Sequence, residues 1–213
     1  HQRDISKKLA VIRYYEKSIA MAPDGQKGKN WGPSVGTIYA DAGPVVLLNI
    51  ASKLKDQADW LVRQNPEYIL SYPSNLQALG EYFENNGLAL PALRQICTVS
   101  ELVSDRLRET MRRVWGVQVK DVYSSEESGC LAQQCPDHDH YHVQSENIYL
   151  EVVDDDGAPC AVGQTGRVLI TTLHNFATPL IRYEVGDYAE LGPPCDCGRG
   201  LPVITRIHGR YRN

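Results

Sequence analysis

No apolar run in the 213 residues approaches the roughly 20 that a membrane helix needs, so a helical membrane span is not expected. The opening stretch "HQRDISKKLAVIRYYEKS" lacks the apolar centre of a secretory signal. Clustered Lys and Arg are missing as well: 22 basic residues stand against 26 acidic ones, with net charge -4 and pI near 5.9. That balance excludes the basic surface that nucleic-acid phosphates require. Six cysteines (Cys97, Cys130, Cys135, Cys160, Cys195, Cys197) are too thin and too uneven for a disulfide scaffold. Internal repeats and low-complexity tracts are absent. What is there is a chain with 42% hydrophobic residues, enough to bury a core, expected to be cytosolic and soluble without nucleic-acid or membrane partners. It has no initiating Met, begins inside what reads as a helix and stops at "GRYRN", as a piece of a longer protein would.

The spacing of Leu9, Ile12, Tyr15, Ile19 and Ala20 predicts an amphipathic helix over 6–22, and "MAPDGQKGKNWGP" (21–33) reads as a flexible loop. From there the pattern alternates. Strand-like runs at 45–50, 67–72, 95–100 and 117–125 are separated by helical runs at 52–65, 74–86 and 104–115. Such a βαβ series predicts an α/β fold with a mostly parallel sheet and crossover helices, because parallel neighbours need a long connection. After residue 126 the helical period gives way to period two around the turn "DDDG", which predicts a β-rich layer. The expected division is an α/β subdomain over 1–125, a β-rich subdomain over 126–208 and a terminal segment over 209–213.

In the β-rich half, "CPDHDHYH" (135–142) and "PPCDCGRG" (193–200) each offer half of a metal site. A C-x-C pair presents Cys195 and Cys197 to one ion, and Cys135 with one histidine completes a closed four-donor set of the kind zinc takes. His142 opens a strand and is the better-placed histidine, with His138 the alternative. The bland reading is three free thiols and a polar hairpin tip. A closed set leaves no place for an activated water, so such a zinc is a structural staple.

Three polar segments carry the chemistry. "DVYSSEESG" (121–129) ends an apolar strand at the edge where ligands of open α/β sheets sit; Glu126 and Glu127 suit magnesium and Tyr123 suits stacking on a base, against a solvated acidic turn. "TPLIRYEVGDYAEL" (178–191) sets Arg182 and Asp187 in an apolar strand, where they either pair with each other or serve a ligand; a carboxylate such as Asp187 suits two adjacent ribose hydroxyls. "RIHGRYRN" (206–213) places Arg210 to reach a phosphate or ribose, against a solvated basic tail.

In that order and spacing, the three stretches resemble the AMP-forming adenylating enzymes, and among them the branch of phenylacetate-CoA ligases and the CapK-like proteins of capsule biosynthesis. "DVYSSEESG" looks like the family's Y-G-x-[ST]-E motif, "IRYEVGD" like its YRTGD motif, and "GRYRN" like its GR-x-x-D hinge. The resemblance implies Tyr123 stacked on adenine, Asp121 as an adenine contact, Glu127 as the magnesium ligand, and Ser100 and Glu101 of "TVSE" bordering the base. It implies Asp187 on the ribose, Arg210 toward the phosphate, and Asn213 at the hinge to a C-terminal domain. It also implies a structural zinc on Cys135, His142, Cys195 and Cys197. Glu126 stands where the family has Ser or Thr, so the α-phosphate hydroxyl falls to Ser124 or Ser125, and Asn213 replaces the hinge Asp. No phosphate loop precedes residue 123 and no catalytic lysine follows the hinge, so the segment alone is expected to bind nucleotide weakly and turn over little. The implied reaction joins a small carboxylic acid, through its adenylate, to CoA or another acceptor, with ATP and Mg2+ as cofactors and an oligomer left open. The rival readings are an adenylyltransferase without CoA and a zinc-stabilised scaffold with a degenerate site.

Overall fold

Apolar runs without polar alternation suit strands that are covered on both faces. In the computed structural model four such runs pair in parallel: β1 (Leu9–Arg13), β3 (Val45–Asn49), β4 (Tyr68–Ser71) and β5 (Gln95–Thr98). A short antiparallel strand, β2 (Gln26–Gly28), joins β3, giving the order β2-β3-β1-β4-β5. The described residues are 3–16, 18–32 and 42–210. The chain divides into two units, one through Lys120 and one from Asp121 on, ahead of the expected boundary after residue 125.

Among the described residues three helices follow β3, β4 and β5 in turn: α1 (Leu54–Gln64), α2 (Pro73–Asn86) and α3 (Asp105–Trp115). Their ends follow from local chemistry. Pro73 starts α2, the Ser104 hydroxyl accepts from the Leu107 N–H at 3.2 Å to cap α3, and Gly87 and Gly116 take the left-handed conformation that closes α2 and α3. The apolar faces meet Ile12, Leu48, Ile69 and Ile96 through Trp60, Leu61, Leu76, Leu79, Phe83, Leu107 and Met111, all at most 1% exposed. Gly80 lets α2 and α3 approach: a Cβ there would stand 2.7 Å from Met111 Cε. No described helix is long and apolar enough to cross a membrane.

Two expectations of the first unit are corrected. Residues 9–13 form the strand β1 instead of part of a helix over 6–22, because Leu9, Ala10 and Ile12 are buried between parallel neighbours on both sides, β3 and β4. Helical spacing within this short run was accidental, and tertiary pairing decides. Ser18 and Ala20 then turn the chain with φ of 79° and 53°, which an α-helix does not allow; Lys17 lies outside the described residues. The expected loop at 21–33 contains β2, which finds its partner in Val45–Leu47, and its Pro33 lies outside the described residues.

The second unit is antiparallel. Its strands are β6 (Gln118–Ser125, which enters it at Asp121), β7 (Gly129–Gln134), β8 (Tyr141–Val143), β9 (Ile148–Val153), β10 (Thr165–Thr172), β11 (Tyr183–Gly192) and β12 (Val203–Arg210), in the order β6-β7-β8-β12-β11-β10-β9. The Asp154 carboxylate shapes the turn after β9 by accepting from the Asp156 and Ala158 N–H groups at 3.1 and 2.9 Å. Leu131, Ala132, Val152, Val168, Ile170, Ala189 and Ile204 make its core. Of the expected hinge, Gly209 and Arg210 close β12, while residues 211–213, Asn213 included, lie outside the described residues.

Candidate functional site

Two of the polar segments meet within the second unit. Tyr123 on β6 donates its hydroxyl to Asp187 Oδ2 on β11 at 2.9 Å. Burial, and next the Asp187 charge, push the Tyr123 phenol far above its ordinary range, so it stays a donor. Asp187 lies in register opposite Arg210 of β12, and Gly186 before it holds φ +87°, a conformation glycine adopts without strain. A second link runs the other way, from the Tyr183 hydroxyl to Glu127 Oε1 at 3.3 Å. Its own backbone N–H, then the Ser125 and Tyr183 hydroxyls, hold the Glu127 carboxyl below its usual range.

The remaining nucleotide candidates fall as follows. Tyr123 is 7% exposed in the core of the unit, and its hydroxyl engages Asp187. The Asp121 carboxylate, expected at adenine, is buried and accepts from the Tyr141 hydroxyl at 2.7 Å. Ser124 and Ser125 pair across β6 and β7 with Cys130 and Gly129, beside a bulge after Tyr123, and the Ser125 hydroxyl accepts from the Ser128 N–H at 3.2 Å. Glu126 is exposed in the turn that follows. Ser100 and Glu101 belong to the first unit: Ser100 is exposed with φ 68°, and Glu101 accepts from the Ser74 N–H and hydroxyl at 2.8 and 2.9 Å, capping the first turn of α2. Arg182 pairs with Glu151 at 3.3 Å, and the alternative pairing with Asp187 is not made.

Beside Glu127 opens a cleft of about 360 Å³, lined by Ser128, Asn147, Ile148, Thr172, His174 and Asn175. Sequence reasoning passed over His174 and Asn175, which sit in the irregular segment between β10 and β11 and carry no periodic signal. It also passed over Tyr183, although "IRYEVGD" contains it.

The cysteine and histidine segments meet as well. Cys135, His140, His142 and Cys195 place one donor atom each within 4.8 Å of one another, and Cys197 Sγ lies 3.3 Å from His142 Nε2. The Cys197 N–H donates to Cys195 Sγ at 3.4 Å, which folds the C-x-C pair around one point. Burial lowers the affinity of His140 and His142 for a proton and favours neutral imidazoles, the form that ligates metal. Burial also pushes the Cys195 thiol up to about 11, while the Arg199 N–H brings Cys197 down to about 7. His140 Nε2 is buried with no hydrogen-bond partner, which is costly unless an ion satisfies it. This donor chemistry fits zinc. His138, the alternative ligand, instead contacts Asp196 at 2.7 Å and stacks on His140. Sequence reasoning passed over His140, which lies in the bends of 136–140; the loop closed by the Cys135 N–H donating to the His140 carbonyl at 2.8 Å carries it there. The cluster is tied to β6, since Gln134 accepts from the Asp121 N–H at 3.0 Å and donates to Asp139 at 3.1 Å. None of the six cysteines forms a disulfide.

No family model matches the sequence. Among characterised proteins, it is 28% identical over 179 residues to the phenylacetate-coenzyme A ligase of Thermus thermophilus, an alignment covering 80% of this chain and 40% of that enzyme. It is 29% identical over 175 residues to the phenylacetate-coenzyme A ligase of Escherichia coli, covering 79% and 40%. The chain thus spans about two fifths of the length of these relatives. In fold it is similar to 2-hydroxyisobutyryl-CoA ligase in complex with 2-HIB-AMP and CoA, with TM-score 0.75, 19% identity, and coverage of 96% of this chain and 48% of that one. The chain is thus similar in sequence to phenylacetate-coenzyme A ligases and similar in fold to 2-hydroxyisobutyryl-CoA ligase.

Proposed function

We propose that the chain is the nucleotide-binding core of an ATP-dependent, AMP-forming carboxylate ligase. A carboxylate oxygen attacks the α-phosphate of ATP and pyrophosphate leaves; the sulfur of a thiol such as coenzyme A then attacks the acyl carbon of the adenylate, the thioester forms, AMP leaves and the thiol proton is released. The observation that carries this reading is the meeting of 121–129 with 178–191 through Tyr123–Asp187 and Tyr183–Glu127, in a relative of phenylacetate-coenzyme A ligases. Asp187 accepts from the ribose hydroxyls, with Arg210 opposite it directed at ribose or phosphate. Glu127 would hold magnesium, which screens the phosphate charge, and the polar cleft beside it suits hydrated phosphate oxygens. Ser124, Ser125 and Glu126 then border the α-phosphate. The work is alignment and charge compensation, so no side-chain nucleophile is needed. The names of the relatives favour an arylacetic acid as the substrate class and CoA as the acceptor.

Cys135, His142, Cys195 and Cys197 would hold a structural zinc, with His140 as a competing histidine. A closed set of this kind pins the loops before β8 and before β12 and leaves chemistry to the carboxylates.

The test is calorimetric titration of the chain with magnesium ATP and with a non-hydrolysable arylacetyl-adenylate analogue. Both are expected to bind, the analogue more tightly, and Asp187→Ala should weaken both by about tenfold or more, the scale of a charged hydrogen bond. Absence of heat with either ligand sinks the reading.

A further inference from the structure

Each of the two meeting segments contributes one tyrosine and one carboxylate, and each tyrosine bonds the carboxylate of the other segment. We infer that Tyr123 and Tyr183 are positioning residues that cross-brace the site: Tyr123 holds Asp187 for the ribose, and Tyr183 holds Glu127 for the metal. This rests on the nucleotide reading above.

The physical case is strongest for Tyr123. An aspartate carboxylate rotates freely about its last torsion unless one oxygen is held. The phenol fixes Oδ2 at 2.9 Å and leaves Oδ1 with its lone pairs free to accept from two neighbouring hydroxyls. The phenol is itself immobile, because its ring is in the core with Leu131, Ala132, Val185 and Ala189. It remains protonated at any ordinary pH, since burial and the adjacent carboxylate both oppose ionisation. The partners are 64 residues apart in sequence, so the bond links β6 directly to β11. Tyr183 is more exposed and its contact with Glu127 is longer, 3.3 Å, which predicts the weaker of the two effects.

Phe substitutions remove the hydroxyls and keep the rings. The readouts are the affinity for ATP relative to 2′-deoxy-ATP and 3′-deoxy-ATP, and the Mg2+ concentration at half-maximal ATP binding. Tyr123→Phe is expected to lower the preference for the full ribose by about fivefold and leave the Mg2+ midpoint unchanged. Tyr183→Phe should do the reverse, raising the Mg2+ midpoint by about two- to threefold with the ribose preference intact. A ribose preference unchanged in Tyr123→Phe overturns the brace while leaving the nucleotide reading in place. So does an equal loss of both readouts in both variants together with a lower melting temperature, which is a structural role only. A wild-type chain that binds no ATP overturns the nucleotide reading and the brace together.

Discussion

The two units employ their buried aromatic residues differently. Through Lys120, Trp60 and Phe83 are fully buried and serve packing: Phe83 meets Trp115 edge-on at 5.1 Å, and the Trp60 N–H finds a backbone carbonyl, that of Asp24, at 3.2 Å. From Asp121 on, the buried aromatics are Tyr123 and Tyr141, and both donate to carboxylates, Asp187 and Asp121. The first unit buries polar groups as well, Asn49, Gln57 and Lys120 among them, and the Tyr68 hydroxyl accepts from the Asp4 N–H at 2.9 Å, but its two fully buried rings pack in an apolar cluster. The second buries ionisable groups that need partners, and it gathers three thiols and two imidazoles around one point. Stability in the first is a packing property, while in the second it depends on polar contacts and on what occupies the donor cluster.

Removing metal breaks the comparison most sharply. The chain is expected to carry one zinc by elemental analysis and to lose it in Cys197→Ser or on chelation. Zinc binding is coupled to folding by as much as about 10 kcal/mol in small closed sites. Amide exchange should then accelerate throughout β7, β8 and β12 while β1, β3 and β4 keep their protection; a metal-free chain with unchanged exchange and melting removes the staple. Next in size is Phe83→Ala, which empties a fully buried site and should cost about 3–5 kcal/mol in thermal or denaturant unfolding, with the zinc content unaltered. Zinc loss in that variant would mean that the two units are not energetically distinct.

The smallest effect is alkaline. Burial and the Asp187 charge raise the Tyr123 phenol above its ordinary value of about 10 in the fold, so the folded chain keeps a proton that the unfolded chain releases. Its contribution to stability is thus complete below pH 10.0 and declines as pH rises beyond it, by up to about 1.4 kcal/mol per pH unit. Tyr123→Phe should flatten that part of the alkaline unfolding profile, and an unaltered slope would show that the phenol is not held as described.

Helices over 54–64, 73–86 and 105–115 and the strands between them were legible because each announces itself locally, through apolar spacing, Pro73, Ser104 and the closing glycines Gly87 and Gly116. β1 was not: a five-residue run is too short for its period to separate strand from helix, and its identity comes from β3 and β4, whose residues lie far along the chain. Likewise the residue types of Asp121 and Glu101 are visible in sequence, while their donors, the Tyr141 hydroxyl and the Ser74 N–H and hydroxyl, are not. A carboxylate's residue type is visible in sequence, but which donor reaches it first depends on where other segments pass.

Residue order alone determined the alternating first half, the β-rich second half and the two half-sites of cysteine and histidine, since these depend on periods and spacings of a few residues. The tertiary structure decided which hydroxyl meets which carboxylate, Tyr123 with Asp187 and Tyr183 with Glu127, and brought His140 beside His142. Those pairings join segments up to 64 residues apart, and contact between remote segments depends on strand order and register, which local pattern does not carry.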